Sequence, residues 1–480
     1  MEELPEHKVG FINCLLNAGA LNFRDFTLKS GRSSPYFINV GDLNDGDSTS
    51  RIGAAYANAI KESGLDSDTF FDLFYGIPEK GISLAIATSI ELARLGVSVP
   101  WFFTRKMPKE YGEATNLTKA ERRKALVVGR APEDGRRIAI LDDVLTTADT
   151  KYEALQTLNG LADNLQFPLL MIAVDRQEVR ADGKSAVEEF TQKTGVPVVS
   201  VINAIDIYKH MRTTDLKFNR LANYLRVYGT EAARKTIEEM EGRLEQRIIE
   251  MDRSVIPACD VSTLEQFDRL VGETADVEKI GGYKVGMELA LSYGLPRVVE
   301  TVRKHTMKPI IYDHQKAGTD IPDTGKNFAR ACKNAGVDAV ILFPQAGPET
   351  ERAWIYHCLD ADLKVIVGGR MTHPAYAVSE GGFITDEGAM EMYRIAARAG
   401  INHFVVPGNK TDVIKTVREL VEAEGVTPVF FAPGFVAQGG KIADAAKVAG
   451  DRFHGIVGRG IYEPKDKSIR EAAREHTQNL

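Results

Sequence analysis

The second half of this chain carries eight short apolar runs, each followed by a stretch with helical spacing. They are VIPACDV (255–261), YKVGMEL (283–289), PIIYDH (309–314), DAVILFP (338–344), KVIVGGRM (364–371), HFVVPG (403–408), VFFAPGF (429–435) and HGIVGRG (454–460). Eight βα units in roughly 230 residues is the arithmetic of a closed (β/α)₈ TIM barrel. Such a barrel keeps its catalytic groups at the carboxyl ends of the strands, where this sequence puts Asp260, Asp313, His373 and Arg459.

The first half has a different rhythm. The runs FDLFYGI (71–77), VPWFFTR (99–105), RIAILDDV (137–144) and LLMIAVD (169–175) alternate with helical patterns, which predicts a mainly parallel sheet with helices packed on it. From about Leu216 to Met251, Arg, Lys and Glu crowd around spaced Leu, Ile and Tyr, as in TIEEMEGRLEQRIIEM, and the segment reads as an exposed amphipathic helical connector. The expected division is therefore an α/β domain over 1–212, a helical linker over 213–250 and the barrel over 251–480. A chain of 480 residues suits two or three domains, and 44% hydrophobic with 26% charged residues is ordinary for a soluble globular protein. The net charge of -7 argues against a protein that coats nucleic acid or an anionic membrane, while local basic pockets stay open. Cys14, Cys259, Cys332 and Cys358 form none of the close pairs that zinc sites or redox dithiols need, which fits a reducing, cytoplasmic setting. The acidic N-terminus and the lack of an apolar run near ~18 residues point away from secretion and membrane insertion.

The sharpest local signal is IAILDDVLTTADT (138–150). An apolar strand ends in Asp142 and Asp143, and a short loop with Thr146, Thr147, Ala148 and Thr150 leads into a helix. Backbone N–H groups at a helix start converge on an anion and Thr hydroxyls add donors, so the loop suits a 5′-phosphate, and the paired carboxylates can hold ribose hydroxyls. The competing reading is an acidic pair that caps the helix. The stretch resembles the phosphoribosyl diphosphate (PRPP) motif of type I phosphoribosyltransferases, which usually has Gly where Ala148 stands. Gly tolerates left-handed torsion angles that Ala resists, so either the loop avoids that conformation or it binds phosphate less well.

Three further segments narrow the resemblance to orotate phosphoribosyltransferases. FTLKSGRSSPYFI (26–38) is similar to their N-terminal signature, which implies that Lys29 contacts the substrates. GIPEKG (76–81) resembles the loop that takes up the pyrophosphate of PRPP, with Lys80 as the cation. TRKMPKEYGE (104–113) resembles the mobile catalytic loop that closes over a neighbouring subunit's site, although many relatives have His where Tyr111 stands. Cations arriving with that loop, here Arg105, Lys106 and Lys109, would stabilise the departing pyrophosphate; the competing reading is a solvated charge run. DRQE (175–178) matches the strand end whose Arg, here Arg176, pairs with the orotate carboxylate through a bidentate fork.

The barrel half resembles orotidine 5′-phosphate decarboxylases along all eight strands. The resemblance implies that Asp260 binds ribose, that Lys284 extends from strand two, and that Asp313, Lys316 and Asp320 complete an alternating Lys-Asp array, with Asp320 supplied across a dimer interface. A carboxylate beside the substrate carboxylate raises the ground state, and an ammonium stabilises the carbanion at C6 and then protonates it, so no cofactor is required. The family spacing is Asp-x-Lys-x-x-Asp, whereas DHQKAGTD (313–320) gives Asp-x-x-Lys-x-x-x-Asp, which demands a bulge or a different strand exit. Thr372 matches the pyrimidine contact after strand five, Gln438 the residue that reaches pyrimidine and phosphate, and Gly458 with Arg459 the phosphate site after strand eight. His373, His403 and His454 receive no catalytic role.

Transferase then decarboxylase is the order of the fused, bifunctional UMP synthases, which this chain resembles over nearly its whole length. The resemblance implies that orotate and PRPP give orotidine 5′-phosphate and then UMP. It also implies Mg²⁺ carried mainly by PRPP for the first step, no cofactor for the second, no protein metal site, and a homodimer or higher homo-oligomer. Two other readings stay open: a barrel that is a metal-dependent sugar-phosphate lyase or synthase of the same superfamily, and a half that is an inactive PRPP or nucleotide sensor.

Overall fold

The computed structural model describes residues 4–28, 31–64, 70–105, 118–145, 148–180, 182–212, 219–242, 247–314, 319–435, 439–478 and 480. Contacts divide the chain into two compact units, one of Met1–Phe26, Ser34–Leu225 and Gly229–Thr236, the other of Thr27–Ser33, Arg226–Tyr228 and Ile237–Leu480. No helix among the described residues is long and apolar enough to cross a membrane.

The first unit is built on a six-stranded sheet, in the order Val198–Asn203, Gln166–Asp175, Arg137–Val144, Leu73–Gly76, Trp101–Thr104, Val127–Gly129. All neighbours are parallel except the last pair. Arg137–Val144 is buried along nearly its whole length, as a central strand covered on both faces must be, which is why its sequence is a continuous apolar run rather than an alternation. Ile140, Ile138, Leu170, Ile172 and Phe190 are at most 1% exposed, and each such side chain contributes about 1.5–3 kcal/mol by leaving water. The edge strands Val198–Asn203 and Val127–Gly129 fall outside the four sequence runs because their burial is partial.

The segment read as an exposed connector is different. It forms two helices, Asn219–Tyr228 and Glu231–Glu241, and Leu221, Tyr224, Leu225 and Tyr228 are nearly fully buried. Charge density dominates the segment average, but from Leu221 to Tyr228 every residue is buried, Asn223 and Arg226 included, as in a helix covered on all sides.

The second unit contains a closed parallel barrel whose strands pair in chain order: Arg253–Cys259, Tyr283–Val285, Ile310–Asp313, Ala339–Leu342, Lys364–Gly368, His403–Val405, Val429–Ala432 and Phe453–Val457. Each lies inside or against one of the eight apolar runs. The interior is packed by Ile256, Ala258, Ile311, Ile341, Phe343, Ile366, Val405, Phe431 and Ile456, one or two from each strand but the second. Strand two instead sends Lys284 inward. Close packing also dictates Gly368, since a Cβ there would stand 2.2 Å from the Phe343 ring.

Candidate active sites

In the first unit the strand-end loops of the parallel sheet converge as open α/β folds require. The loop after Leu73–Gly76 leans on the neighbouring strand: Ile77 N donates to the Leu141 carbonyl at 3.1 Å. A Cβ on Gly81 would lie 2.3 Å from that oxygen, so only glycine permits the approach. The approach delivers Lys80, at the first turn of helix Lys80–Arg94, to Asp143: Nζ to Oδ2 is 2.7 Å. Asp143 also accepts from the Val144 N–H at 2.8 Å. Asp142 turns the other way and pairs with Lys151 at 2.6 Å, both side chains 8% exposed. Burial raises the Asp142 pKa, and the Lys151 ammonium opposes that rise.

Ala148 takes φ 66° and ψ 0°, the left-handed conformation, at the N-cap of helix Asp149–Asn159. The loop thus keeps the glycine-like turn with a side chain in place, and the methyl group is buried in the sheet's core cluster. Burying one methyl is worth roughly 0.8 kcal/mol, which offsets most of a left-handed strain of about 1 kcal/mol. Thr150 is exposed on the first turn of the same helix.

Arg176 follows the strand Gln166–Asp175. Its Nε and Nη2 both reach Glu178 Oε1, at 2.8 and 2.7 Å, Nη2 donates to Ser34 Oγ at 3.0 Å, and the guanidinium lies 4.0 Å above the Tyr36 ring. One edge of the fork is therefore occupied within the protein, and Nη1 has no partner among the described residues. Glu178 and Lys151 are contacts that motif spacing did not single out. Arg105 extends the strand Trp101–Thr104, with its N–H donating to the Leu126 carbonyl at 2.9 Å. Lys29, Lys106, Lys109, Thr146 and Thr147 lie outside the described residues.

In the barrel, a cavity of about 240 Å³ opens at the carboxyl ends of the strands, lined among others by Asp260, Lys284, Arg370, Thr372, Arg459 and Tyr462. Lys284 Nζ stands 2.5 Å from Asp313 Oδ2 and 3.7 Å from Asp260 Oδ1. Burial alone would lower the Lys284 pKa, but Asp313 and Asp260 outweigh it and raise it, so the side chain is a held ammonium. Arg459, on the same cavity, opens the short helix Arg459–Tyr462 with Gly458 before it, and its guanidinium makes no hydrogen bond or ion pair with the described residues. An unpaired guanidinium on a cavity wall suits an anion such as a phosphate.

The ladder of strand three runs without a bulge through Asp313, paired with Ile341. Lys316 and its neighbours 315–318 lie outside the described residues, as does Gln438. Asp320 is exposed, and its Oδ1 accepts from the Ile321 N–H at 2.7 Å. His403 and His454 sit low in the barrel, both 2% exposed, and Ser254 Oγ lies 2.8 Å from His454 Nδ1. Burial drops both pKa values to about 3, so they are neutral structural groups. Arg370, with Asp386 and Glu380 on its guanidinium, was not among the sequence candidates although it lines the cavity.

Residues 253–475 match the model of the Orotidine 5'-phosphate decarboxylase / HUMPS family. The first half is 36% identical over 206 residues to the orotate phosphoribosyltransferase of Stenotrophomonas maltophilia strain K279a, covering 42% of this chain and 86% of that protein. It is 37% identical over 206 residues to the orotate phosphoribosyltransferase of Xanthomonas axonopodis pv. citri, with the same coverage. A solved structure, orotidine 5'-monophosphate decarboxylase from Methanocaldococcus jannaschii with the inhibitor BMP, is 25% identical, covers 48% of this chain and 98% of its own, and has a TM-score of 0.42. The chain therefore belongs, through its first half, to the orotate phosphoribosyltransferase family, and it joins to that half a domain matching the orotidine 5'-phosphate decarboxylase / HUMPS family.

Proposed function

We propose that the chain makes UMP in two steps: orotate and PRPP give orotidine 5′-phosphate and pyrophosphate in the first unit, and the barrel removes the carboxylate. The observation that carries the reading is the buried Lys284 ammonium between Asp313 and Asp260, in a cavity that Arg459 also lines. Decarboxylation leaves an electron pair on C6 of the pyrimidine. A fixed ammonium stabilises that charge without reorganising, and Asp313 beside the substrate carboxylate disfavours the ground state. Lys316 is the proton donor to C6, Asp320 comes from a second copy in a homodimer, Thr372 and Gln438 hold the pyrimidine, and Gly458 and Arg459 take the phosphate. The metal-dependent lyase reading fits less well, because the Lys284 ammonium already occupies the place between the two carboxylates where a dication would sit.

In the first unit, Asp143 and Lys80 meet the ribose and pyrophosphate of PRPP, the loop around Ala148 takes the 5′-phosphate, and Arg176 selects the orotate carboxylate through Nη1. Asp142 and Asp143 are each already neutralised by a lysine, so the donor set fits Mg²⁺ held on PRPP's own oxygens. When bound, that ion spreads the charge of the departing pyrophosphate. Lys106, Lys109 and Arg105 add cations as their loop closes.

Incubation with orotate, PRPP and Mg²⁺ should consume orotate and yield UMP. Supplied orotidine 5′-phosphate should be decarboxylated equally well in EDTA. Loss of the second activity in EDTA would favour the metal-dependent reading, and accumulation of orotidine 5′-phosphate would mark an inactive barrel.

A further inference from the structure

The barrel holds a polar cluster that the proposed chemistry does not use. It joins the turns after strands five and six. Asn409 Nδ2 donates to the Thr372 carbonyl at 3.1 Å, and Lys410 Nζ lies 3.5 Å from the His373 carbonyl and 2.5 Å from Glu380 Oε1. Glu380 in turn accepts from Arg370 Nη2 at 3.0 Å. Thr372 sits on neither helix nor strand. Without a ladder of backbone hydrogen bonds, its turn is held by these side chains.

The chain around Asn409 also packs against the turn after strand seven. Gly408 N donates to the Pro433 carbonyl at 2.8 Å and Gly440 N to the Gly434 carbonyl at 3.2 Å, while a Cβ on Gly440 would come 3.1 Å from Asn409 Cα. Thr372, Pro433 and Gly434 line the cavity, and Asn409 does not. Its Oδ1 is buried and has no hydrogen-bond partner among the described residues. Among the described residues the bonded end of the side chain is its donor end, and the partner is the Thr372 carbonyl.

We infer that Asn409 is a positioning residue for decarboxylation, holding the Thr372 turn at the pyrimidine end of the cavity. The inference rests on the reading of Thr372 as the pyrimidine contact. A contact displaced by a fraction of an ångström weakens substrate orientation, and such effects reach about 10²-fold per ångström.

The test uses the full chain, with decarboxylation followed across orotidine 5′-phosphate concentrations and the transferase rate measured on the same samples. Asn409→Asp keeps the shape and loses the donor; Asn409→Ala loses both. Each should lower kcat/KM by about ten- to a hundredfold, chiefly through KM, with the transferase rate unchanged. Because Asn409 acts through Thr372, the double variant Thr372→Ala/Asn409→Ala should lie within about twofold of Thr372→Ala. Parental KM and kcat in Asn409→Asp would overturn the inference, and so would additive losses in the double variant. A fall in kcat at parental KM that tracks a lowered melting temperature would mark a structural role and overturn it as well. If Thr372→Ala is itself silent, the reading of Thr372 falls and takes the inference with it; if it is damaging while the Asn409 variants are silent, only the inference falls.

Discussion

The two units assemble charge in opposite ways. In the barrel the opposed charges stand on adjacent strands inside the core, with the Lys284 and Asp313 side chains 5% and 0% exposed. In the first unit they stand on loops beyond the strands, and the Lys80 side chain is half exposed beside its partner Asp143. A site on rigid strands is preorganised, so its electrostatic stabilisation is in place before substrate arrives. A site on loops can open for a large, highly charged substrate and gather its cations as it closes. The different reactions fit this: decarboxylation concentrates charge at one carbon, whereas phosphoribosyl transfer must admit and release a diphosphate.

If that contrast is right, the largest effect belongs to the preorganised site. Lys284→Met should lower decarboxylation by about three orders of magnitude or more while leaving the transferase rate intact, as measured on supplied orotidine 5′-phosphate and on orotate separately. A loss under tenfold would mean the ammonium is not where the charge develops. Arg176→Ala should be milder, because Nη1 offers one charge-assisted contact to orotate: roughly 2–3 kcal/mol, or tens to hundreds of fold in kcat/KM for orotate, with decarboxylation spared. Unchanged orotate kinetics would remove Arg176 from the site.

Acid should separate the units next. His403 and His454 have pKa values of about 3 against 6.5 for a free imidazole, chiefly through burial. The unfolded barrel therefore takes up protons first. Their contribution is intact above pH 6.5 and is lost as pH falls towards 3, on the order of 1.4 kcal/mol per pH unit for each histidine. Urea midpoints followed by Trp354 fluorescence in a Trp101→Phe background should drop between pH 7 and pH 5, and drop less in His403→Gln/His454→Gln. An equal drop in both would sink the assignment. The smallest effect is at Ala148, where strain and methyl burial nearly cancel. Ala148→Gly should change stability by under about 1 kcal/mol and the KM for PRPP by less than about twofold. A tenfold fall in that KM would show that the alanine weakens phosphate binding.

The barrel was the more legible unit. A strand that is apolar, short and flanked by helices announces itself locally, and eight of them in succession leave one closed arrangement. The partially buried strand Val198–Asn203 and the burial of Asn219–Tyr228 were harder, because a half-covered strand lacks a clean period and a helix that buries polar residues with its apolar ones does not look buried in sequence. Motifs marked Asp142, Asp143 and Arg176 as a group without saying which atoms each would face.

By itself, then, the sequence determined the element types, their order and the residue chemistry at the strand ends, since these depend on neighbours a few positions apart. Tertiary structure alone decided the pairings: Lys80 on Asp143, Lys151 on Asp142, Glu178 on Arg176, Lys284 on Asp313 and Asn409 on Thr372. A charged or amide group takes whichever partner the folded backbone brings within about 3 Å, and that distance is set by strand register and loop packing between segments far apart in the chain.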